Sequence, residues 1–272
     1  MEQKPAYLME NEEEAIRLDV KTDEEAVRRQ ALWCGLKPGL RVLDVGCGPG
    51  KTTAILHELV QPGGKAVGID FSPQRISLAR ENYGSRAGLE FQLGDLTSPP
   101  LELGKFDLVW VRFVLEYYRR ESPAIVKKLL NLLRPGGYLC LLDLDYNCLN
   151  HYELPAGMSE LLIKLMARLD EEHNFDTFAG RKLYSYLYDA NLEEIEMNLM
   201  PHHLIYGKLK DADLFNWVKK VEVNAERLKD LFASYPGGYD SFFADFRQSL
   251  LDPRRFTYTP LILCKGRRPL SG

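Results

Sequence analysis

The sequence predicts an α/β fold built on a doubly wound, mainly parallel sheet with helices on both faces. Three observations support this fold class. Short apolar runs alternate with helical patterns through the first half of the chain, the first run ends in a glycine-rich turn, and the second ends in Asp70. Strands that alternate with helices pair in parallel, and such sheets bind ligands at the carboxyl ends of their strands.

The expected elements follow in order along the first half. A helix over residues 50–60 follows the first strand. Ser72-Pro73 and Ser122-Pro123 each begin a further helix, because the hydroxyl can cap the first turn and proline fits there. The turn at 134–137 ends the last of these helices before the fifth strand. The strands are expected over residues 41–45, 65–70, 89–93, 106–112 and 138–143.

The remainder of the chain is predicted to be largely helical. The first forty residues and the segment 156–173 carry helical patterns. Between residues 201 and 254, apolar side chains recur at helical spacing, and a Pro-Gly-Gly break at 236–238 precedes an aromatic-rich stretch. We interpret this segment as a helical insertion that forms part of a lid.

The glycine turn limits which nucleoside-type ligand could bind. A phosphate-binding P-loop requires glycine where this chain has Val45, and Gly46, Gly48 and Gly50 give G-x-G-x-G rather than the dinucleotide pattern G-x-G-x-x-G. Asp44 would also repel a pyrophosphate but attract an amino group. S-adenosylmethionine carries such a group together with a ribose and an adenine. A turn used only for packing is the structural alternative.

Five motifs in order resemble class I S-adenosylmethionine-dependent methyltransferases. Asp-Val-Gly-Cys-Gly-Pro-Gly at 44–50 is similar to the family's signature, Ile-Asp-Phe-Ser at 69–72 to its acidic ribose-binding turn, and Gly-Asp-Leu at 94–96 to its adenine-binding turn. Residues 106–110 and 133–139 resemble the fourth strand and the turn into the fifth. The resemblance covers roughly residues 36–145.

The resemblance implies a Rossmann-like sheet of seven mainly parallel strands, with an antiparallel last strand and a helical lid. Segment 180–190 resembles the family's fifth helix and 192–199 its sixth strand, and the last strand is best placed at 256–264. The expected division is an N-terminal helical lid segment (1–35), a methyltransferase core (36–200, with a helical insertion at about 146–178), a helical cap (201–254), and the last strand with a tail (255–272).

The resemblance also implies a set of cofactor-binding residues. The turn residues would hold the methionine end of the cofactor, Asp70 the ribose, and the 94–96 turn the adenine. Capping at Asp44, core packing at Phe71, a surface position for Arg112 and an ordinary amphipathic helix at Tyr7 and Arg17 are the structural alternatives. The full set is Tyr7, Arg17, Asp44, Gly46, Cys47, Gly48, Asp70, Phe71, Gly94, Asp95, Leu96 and Arg112.

The acceptor is expected beside the fourth and fifth strands. Tyr117, Asp143 and Tyr146 are the predicted substrate-binding residues. Methyl transfer needs chiefly orientation, and a base only where the acceptor must lose a proton. We assign no single catalytic residue and no metal. Further candidates for a base are Glu116, Tyr118, Asp145, His151, His173, His202 and His203.

Composition limits the class of substrate. The chain has 272 residues and a net charge of −4, so no overall positive field attracts nucleic acid. Its five cysteines include no C-x-x-C pair, and no apolar signal core or membrane span is evident, which favours the cytoplasm. We expect a small-molecule acceptor whose acceptor atom is oxygen, nitrogen or carbon. The alternatives are a protein or RNA methyltransferase, or a protein that binds the cofactor without catalysis. The outer side of the inserted helices could form a closed lid or the interface of a homodimer.

Overall fold

A computed structural model describes residues 22–98, 102–146, 149–155 and 157–270. The predicted residues Tyr7 and Arg17 lie outside these ranges. The helices are α1 (Glu24–Trp33), α2 (Lys51–Leu59), α3 (Pro73–Tyr83), α4 (Ser122–Leu130), α5 (Met158–Glu172), α6 (Leu183–Asp189), α7 (Asp211–Arg227) and α8 (Gly238–Leu251). Short 3₁₀ turns occupy Leu115–Tyr117, Gly180–Lys182 and Lys229–Ser234.

The strands of the described residues form one sheet. They are β1 (Arg41–Val45), β2 (Lys65–Asp70), β3 (Leu89–Leu93), β4 (Phe106–Arg112), β5 (Leu133–Leu144), β6 (His151–Tyr152), β7 (Glu193–Tyr206) and β8 (Phe256–Arg267). The order is β3-β2-β1-β4-β5-β8-β6, with β7 also paired to β8. The first five strands in sequence are parallel, and β8 is antiparallel to β5, β6 and β7.

This topology fixes where a ligand can bind. The chain moves outward from β1 to β3 and then returns to place β4 on the other side of β1, so that Leu43 pairs with both Val67 and Val109. The strand order therefore reverses between β1 and β4. The crevice at the carboxyl ends of the strands at such a switch point is the usual ligand site of an open α/β sheet. The predicted fold class is confirmed.

Both faces of the parallel strands are buried, as expected when helices cover the two sides of a sheet. Apolar side chains of α1, α2 and α3 pack around Trp110 on one face. Those of α4 and α6 pack around Val109 and Leu141 on the other. A separate apolar core joins α5, α7 and α8 around Trp217 and Phe242, so the inserted helices form a cap with its own interior. Helices α7 and α8 lie within the segment 201–254 where a helical insertion was predicted, although β7 occupies its first residues.

The strands differ from the prediction at the ends of β5, β7 and β8, the last of which continues to Arg267, and by one additional strand. Strand β5 begins at Leu133, before the glycine turn, because Leu133 already pairs with Phe106 and the register shift that follows absorbs the turn. Strand β7 continues past Pro201 to Tyr206, since the proline and the register shift next to it lie on a strand that pairs with β8 alone. The two-residue strand β6 is an eighth strand that its short sequence did not signal.

Among the described residues, none of the helices combines the length and the apolarity that are needed to cross a membrane.

Candidate functional site

The glycine turn after β1 is held tightly between two strands. The backbone N–H groups of Gly46 and Cys47 both donate to the carbonyl of Ile69, at 2.8 and 2.9 Å. Gly46 has a φ of +72°, and a Cβ built on it would lie 2.5 Å from Cγ2 of Val114. Only glycine combines that backbone conformation with so close an approach. The turn therefore exposes backbone rather than side chains to the crevice.

Asp70 joins the two βα turns that flank this crevice. Its side chain is buried and accepts hydrogen bonds from the backbone N–H groups of Gly48 and Ser72, each at 3.0 Å. A guanidinium nitrogen of Arg75 lies 3.8 Å from the same carboxylate. The main-chain carbonyl of Asp70 accepts from Gly94 N–H at 3.0 Å, which ties the third βα turn to the second. One acid thus organises the carboxyl ends of β1, β2 and β3.

A cleft opens above these turns at the switch point of the sheet. Its volume is about 880 Å³ when the open mouth is included. The predicted cofactor residues that line it are Gly46, Cys47, Gly48, Asp70, Phe71, Gly94, Leu96 and Arg112. Sequence reasoning missed other lining residues: Thr22, Lys51, Thr52, Phe113 and Val114.

Asp44 lies beneath the glycine turn and is not among the residues that line the cleft. Its buried carboxylate accepts a hydrogen bond from Thr53 Oγ1 at 2.7 Å. Burial raises the pKa of Asp44 to about 7, although the Thr53 hydrogen bond and the charge of Arg112 oppose that shift. Near neutral pH this carboxyl is therefore poised between its two forms, and a nearby cation would favour ionisation.

This pKa predicts how stability depends on pH. Because the folded-state pKa of Asp44 lies above its ordinary value of 3.8, its contribution to stability is present below that value and is lost as pH rises through about 7. Between pH 5 and pH 8 we expect the free energy of unfolding to fall, with Asp44 contributing up to about 3 kcal/mol of the change.

Urea unfolding of the ligand-free protein at both pH values measures this change. Asp44→Asn should make the free energy of unfolding less dependent on pH, while the control Glu90→Gln, at an exposed position of β3, should leave the dependence intact. An unaltered pH dependence in Asp44→Asn would contradict the assignment.

Arg112 is a partly buried cation in the cleft wall. Its Nε donates to Oε1 of Gln30 at 3.0 Å, and its guanidinium lies 4.1 Å from the centre of the Phe113 ring. Burial lowers the pKa of Arg112 to about 10, while Asp44 and Asp143 favour the charged form. Arg112 therefore stays charged at neutral pH and balances the two buried acids on either side of it.

The predicted adenine turn has mixed support in its geometry. Gly94 and Leu96 line the cleft, as does Phe71. Asp95 lies outside the lining, and its carboxylate accepts hydrogen bonds from the N–H and hydroxyl of Thr97, at 2.8 and 2.6 Å, and from Ser98 Oγ at 3.0 Å. That pattern is an Asx turn, in which the acid shapes the loop.

Comparison with known proteins identifies the family. The family model described as "Methyltransferase domain" matches residues 36–195. The chain belongs to this methyltransferase family. The family prediction made from the five motifs is thereby confirmed.

Individual relatives match over shorter regions. The demethylmenaquinone methyltransferase of Lactococcus lactis is 32% identical over 120 residues, which are 42% of this chain and 46% of that protein. The matched region thus spans less than half the length of this curated relative.

Two solved structures share the fold. YcgJ protein of Bacillus subtilis has a TM-score of 0.61 at 18% identity, covering 91% of this chain and 99% of that one. Phosphoethanolamine N-methyltransferase 2 of Haemonchus contortus, in complex with S-adenosyl-L-methionine, has a TM-score of 0.57 at 16% identity, covering 90% and 52%. At these identities the likeness concerns the fold alone.

Of the three predicted substrate-binding residues, Tyr117 is the one that lines the cleft. Its ring meets Phe175 edge-on at 5.6 Å. Asp143 lies buried behind this wall and accepts from the N–H of Glu116 at 3.1 Å. Burial, together with the neighbouring Glu116 carboxyl, raises the pKa of Asp143 well above its ordinary value.

The third predicted acceptor residue, Tyr146, is placed differently. It is not among the residues lining the cleft, and its ring packs edge-on against Phe178 at 5.2 Å. The Arg181 guanidinium lies 5.4 Å from the Tyr146 ring centre and binds the Asp145 carboxylate at 2.8 and 2.9 Å. Because this ion pair engages both of its carboxylate oxygens, Asp145 is a poor candidate for a base.

One histidine reaches the cleft wall from the cap side. The His202 ring is 4.7 Å from that of Phe113, whose side chain lines the cleft. His151 and His203 lie further away, where they contact the hydroxyls of Thr257 and Thr259 at 2.9 and 3.4 Å. His202 thus lies behind the cleft wall, while Tyr118 is a candidate base that lines the cleft itself. Only the structure reveals the approach of His202, because β7 continues past Pro201.

Proposed function

We propose that this protein transfers the methyl group of S-adenosylmethionine to a small-molecule acceptor and releases S-adenosylhomocysteine. One observation carries the proposal. The buried carboxylate of Asp70 lines a cleft at the sheet's switch point, next to a glycine turn that leaves no room for a side chain. A carboxylate at the end of the second strand of such a fold can accept from both ribose hydroxyls.

The charges around the turn fit this ligand better than a phosphate-bearing nucleotide. Burial and the carboxylates of Asp44 and Asp70 raise the pKa of the Cys47 thiol well above its ordinary value. These two carboxylates next to the turn favour the amino group of a methionine moiety, while the cations Lys51, Arg75 and Arg112 also line the cleft. An ammonium group near Asp44 would also stabilise that buried carboxylate in its charged form.

In the proposed mechanism the chain supplies position rather than acid–base chemistry. The bound cofactor contributes an activated methyl group on a sulfonium. Gly46 and Gly48 present backbone to the ligand, Asp70 fixes its ribose, and Tyr117 forms part of an aromatic wall that excludes water. Holding the two reactants in line can lower the barrier by about 7–11 kcal/mol. Where the acceptor must lose a proton, the candidate bases are Tyr118 in the cleft lining and His202 behind Phe113.

A small acceptor is consistent with the cap and the relatives. The relative from L. lactis is named for demethylmenaquinone and the structure from H. contortus for phosphoethanolamine. The cap helices bury their own core around Trp217 above the β6–β8–β7 part of the sheet. The net charge of −4 provides no overall positive field to attract an RNA substrate. The acceptor atom, which attacks the methyl carbon as the bond to sulfur breaks, could be oxygen, nitrogen or carbon.

The decisive experiment measures binding and then transfer. Isothermal titration calorimetry should detect S-adenosylmethionine and S-adenosylhomocysteine but not NAD or ATP. Transfer of a radiolabelled methyl group to a panel of small quinols, amines and phenols should follow, with protein and RNA pools as parallel samples. Binding of NAD or ATP alone would refute the cofactor assignment. Binding without transfer to any acceptor would support a non-catalytic protein, and labelled RNA or protein would support a macromolecular substrate.

Tyr117 provides a prediction for the acceptor side. Tyr117→Ala should lower kcat/KM for the acceptor by about 10–100-fold, because burying an aromatic side chain contributes on the order of 1.5–3 kcal/mol. Affinity for S-adenosylhomocysteine should change less than threefold by calorimetry. Tyr188→Ala, at an exposed position of α6, is the control and should leave both quantities unchanged. A parallel fall in cofactor affinity would reassign Tyr117 to the cofactor site.

A cytoplasmic location is also proposed. Cys34, Cys47, Cys140 and Cys264 are buried free thiols, as expected for a protein kept in a reducing compartment.

A further inference from the structure

One face of the β6–β8–β7 part of the sheet is apolar and exposed. Pairing places its side chains together: Leu199 lies opposite Ile262, Leu204 opposite Tyr258, and Tyr206 opposite Phe256. Tyr152 of β6 also pairs with Phe256. We call this surface the ribbon face and define it by the side chains Tyr152, Met197, Leu199, Leu204, Tyr206, Phe256 and Tyr258.

The opposite face of the same strands is already covered. Thr257 and Thr259 alternate with the ribbon-face residues along β8 and are buried, as is Ile205 within the core of the cap. An antiparallel sheet that has one face on a core normally shows polar side chains on the other. Here the outer face is apolar as well, at all seven positions. This departure requires a physical reason.

The exposure of the ribbon face is large. Tyr206 is 69% exposed, Leu199 66% and Tyr152 62%, and the least exposed member, Tyr258, is 39% exposed. Taking about 150–250 Å² for each large apolar side chain, the exposed fractions sum to roughly 600–900 Å². A standard interface buries about 800 Å² on each partner. The surface therefore has the size of one half of a stable dimer interface.

Its composition also fits a protein interface. Aromatic side chains and methionine are enriched in the cores of protein interfaces, whereas charged residues are depleted. The ribbon face contains four aromatic residues and Met197, and it has no charged member. A protein surface that binds an anionic membrane would instead be expected to carry a cluster of lysine and arginine, and the chain has a net charge of −4. The occupant that these features favour is another protein.

We propose that the ribbon face is the interface of a homodimer, in which the faces of two copies pack against each other across a twofold axis. A twofold interface uses the same surface on both copies, so a single self-complementary apolar face is sufficient. Packing through the faces, rather than through the edges of β7, is favoured because Pro201 and the adjacent register shift interrupt the row of edge donors. The inference does not depend on the proposed transfer reaction.

Sedimentation of the full chain tests the interface. At tens of micromolar the protein should have twice the chain mass of 31.2 kDa. Leu199→Glu, near the middle of the face, should raise the dimer dissociation constant at least 100-fold. Ile163→Glu is the matched control, because Ile163 is 57% exposed on α5 and lies outside the ribbon face. This control should remain a dimer.

A second variant and one further measurement complete the test. Tyr206→Gln is a milder change at a 69% exposed position and should also weaken the dimer if Leu199→Glu fails to fold. A monomeric unmodified protein, or a dimer that both variants leave intact, would overturn the proposal. So would a monomer that binds vesicles of anionic phospholipid and loses that binding in Tyr206→Gln.

Discussion

Gly46→Ala is expected to weaken the binding of S-adenosylmethionine by roughly 30–1000-fold. The new Cβ would lie 2.5 Å from Cγ2 of Val114, and the φ of +72° already disfavours any residue other than glycine. In the original geometry the left-handed conformation costs on the order of 1 kcal/mol and overpacking a further 1–3 kcal/mol. The free protein can relax to avoid this cost, and affinity falls because binding requires the original geometry. Both Gly46 and Val114 line the cleft, so relief of the clash must move the wall that contacts the ligand.

A variant at a second glycine, Gly39, separates the conformational cost from the steric clash. Gly39 has a φ of +86° but nothing within 4 Å of a built Cβ, so Gly39→Ala carries the conformational cost without the clash. We expect Gly39→Ala to lower the melting temperature slightly and to leave ligand affinity unchanged by calorimetry. The double variant Gly46→Ala, Val114→Ala should recover part of the lost affinity. Equal affinities for Gly46→Ala and the unmodified protein would contradict the assigned role of the turn.

The central strands could be predicted from the sequence because their signals are local. The observed bounds of β1, β2, β3 and β4 coincide with those expected from short apolar runs between breaks. The same holds for the start of α3, where the Ser72 side chain caps the helix and Pro73 occupies its first turn. Each of these features depends on neighbours within a few residues, and propensity and capping act over that distance.

The later strands depend on partners that are distant in sequence. Pro201 suggested an end to β7, yet the strand continues because β8 pairs with it on both sides of the register shift. Gly136 and its neighbours suggested that β5 starts late, but the Gly136 N–H donates to the carbonyl of Arg268, near the end of the chain. No local pattern encodes either pairing, so both strands were predicted too short.

The residues of the candidate site also fall into two groups, those that lie within sequence motifs and those that contacts distant in sequence bring together. The glycine turn and Asp70 lie within motifs, and the structure brings them to one cleft. The pair formed by Arg112 and Gln30 joins residues that are far apart in sequence, as does the approach of His202 to Phe113. Asp95 matched a motif but serves its own loop in this structure. Its role toward adenine stays a prediction, as do the roles of Tyr146 and Asp143 toward an acceptor.

Asp70→Ala is expected to reduce the affinity for S-adenosylmethionine by about one to two powers of ten. A hydrogen bond to a charged group contributes about 1.5–3 kcal/mol, and the ribose would lose its carboxylate acceptor. The change also removes the shared partner of Gly48 N–H and Ser72 N–H, which anchors two of the turns around the cleft. Loss of affinity could therefore come from a missing ligand contact or from a loosened turn, and the design of the experiment must distinguish them.

Asp107 is a suitable control, because it is also an acid that accepts a backbone hydrogen bond but lies outside the ligand cleft. It accepts from the Arg41 N–H at 2.8 Å and pairs with Arg134 at 2.6 Å, near the amino end of β4. Asp107→Ala should cost stability in urea unfolding but leave ligand affinity unchanged, because the cleft lies at the opposite end of the strands. A ligand that lacks the ribose hydroxyls separates the remaining causes. If Asp70 binds the ribose, Asp70→Ala should weaken S-adenosylhomocysteine strongly and its 2′,3′-dideoxy analogue only slightly. Equal losses for both ligands would mean that Asp70 acts only through the turns, and the ribose assignment would fail.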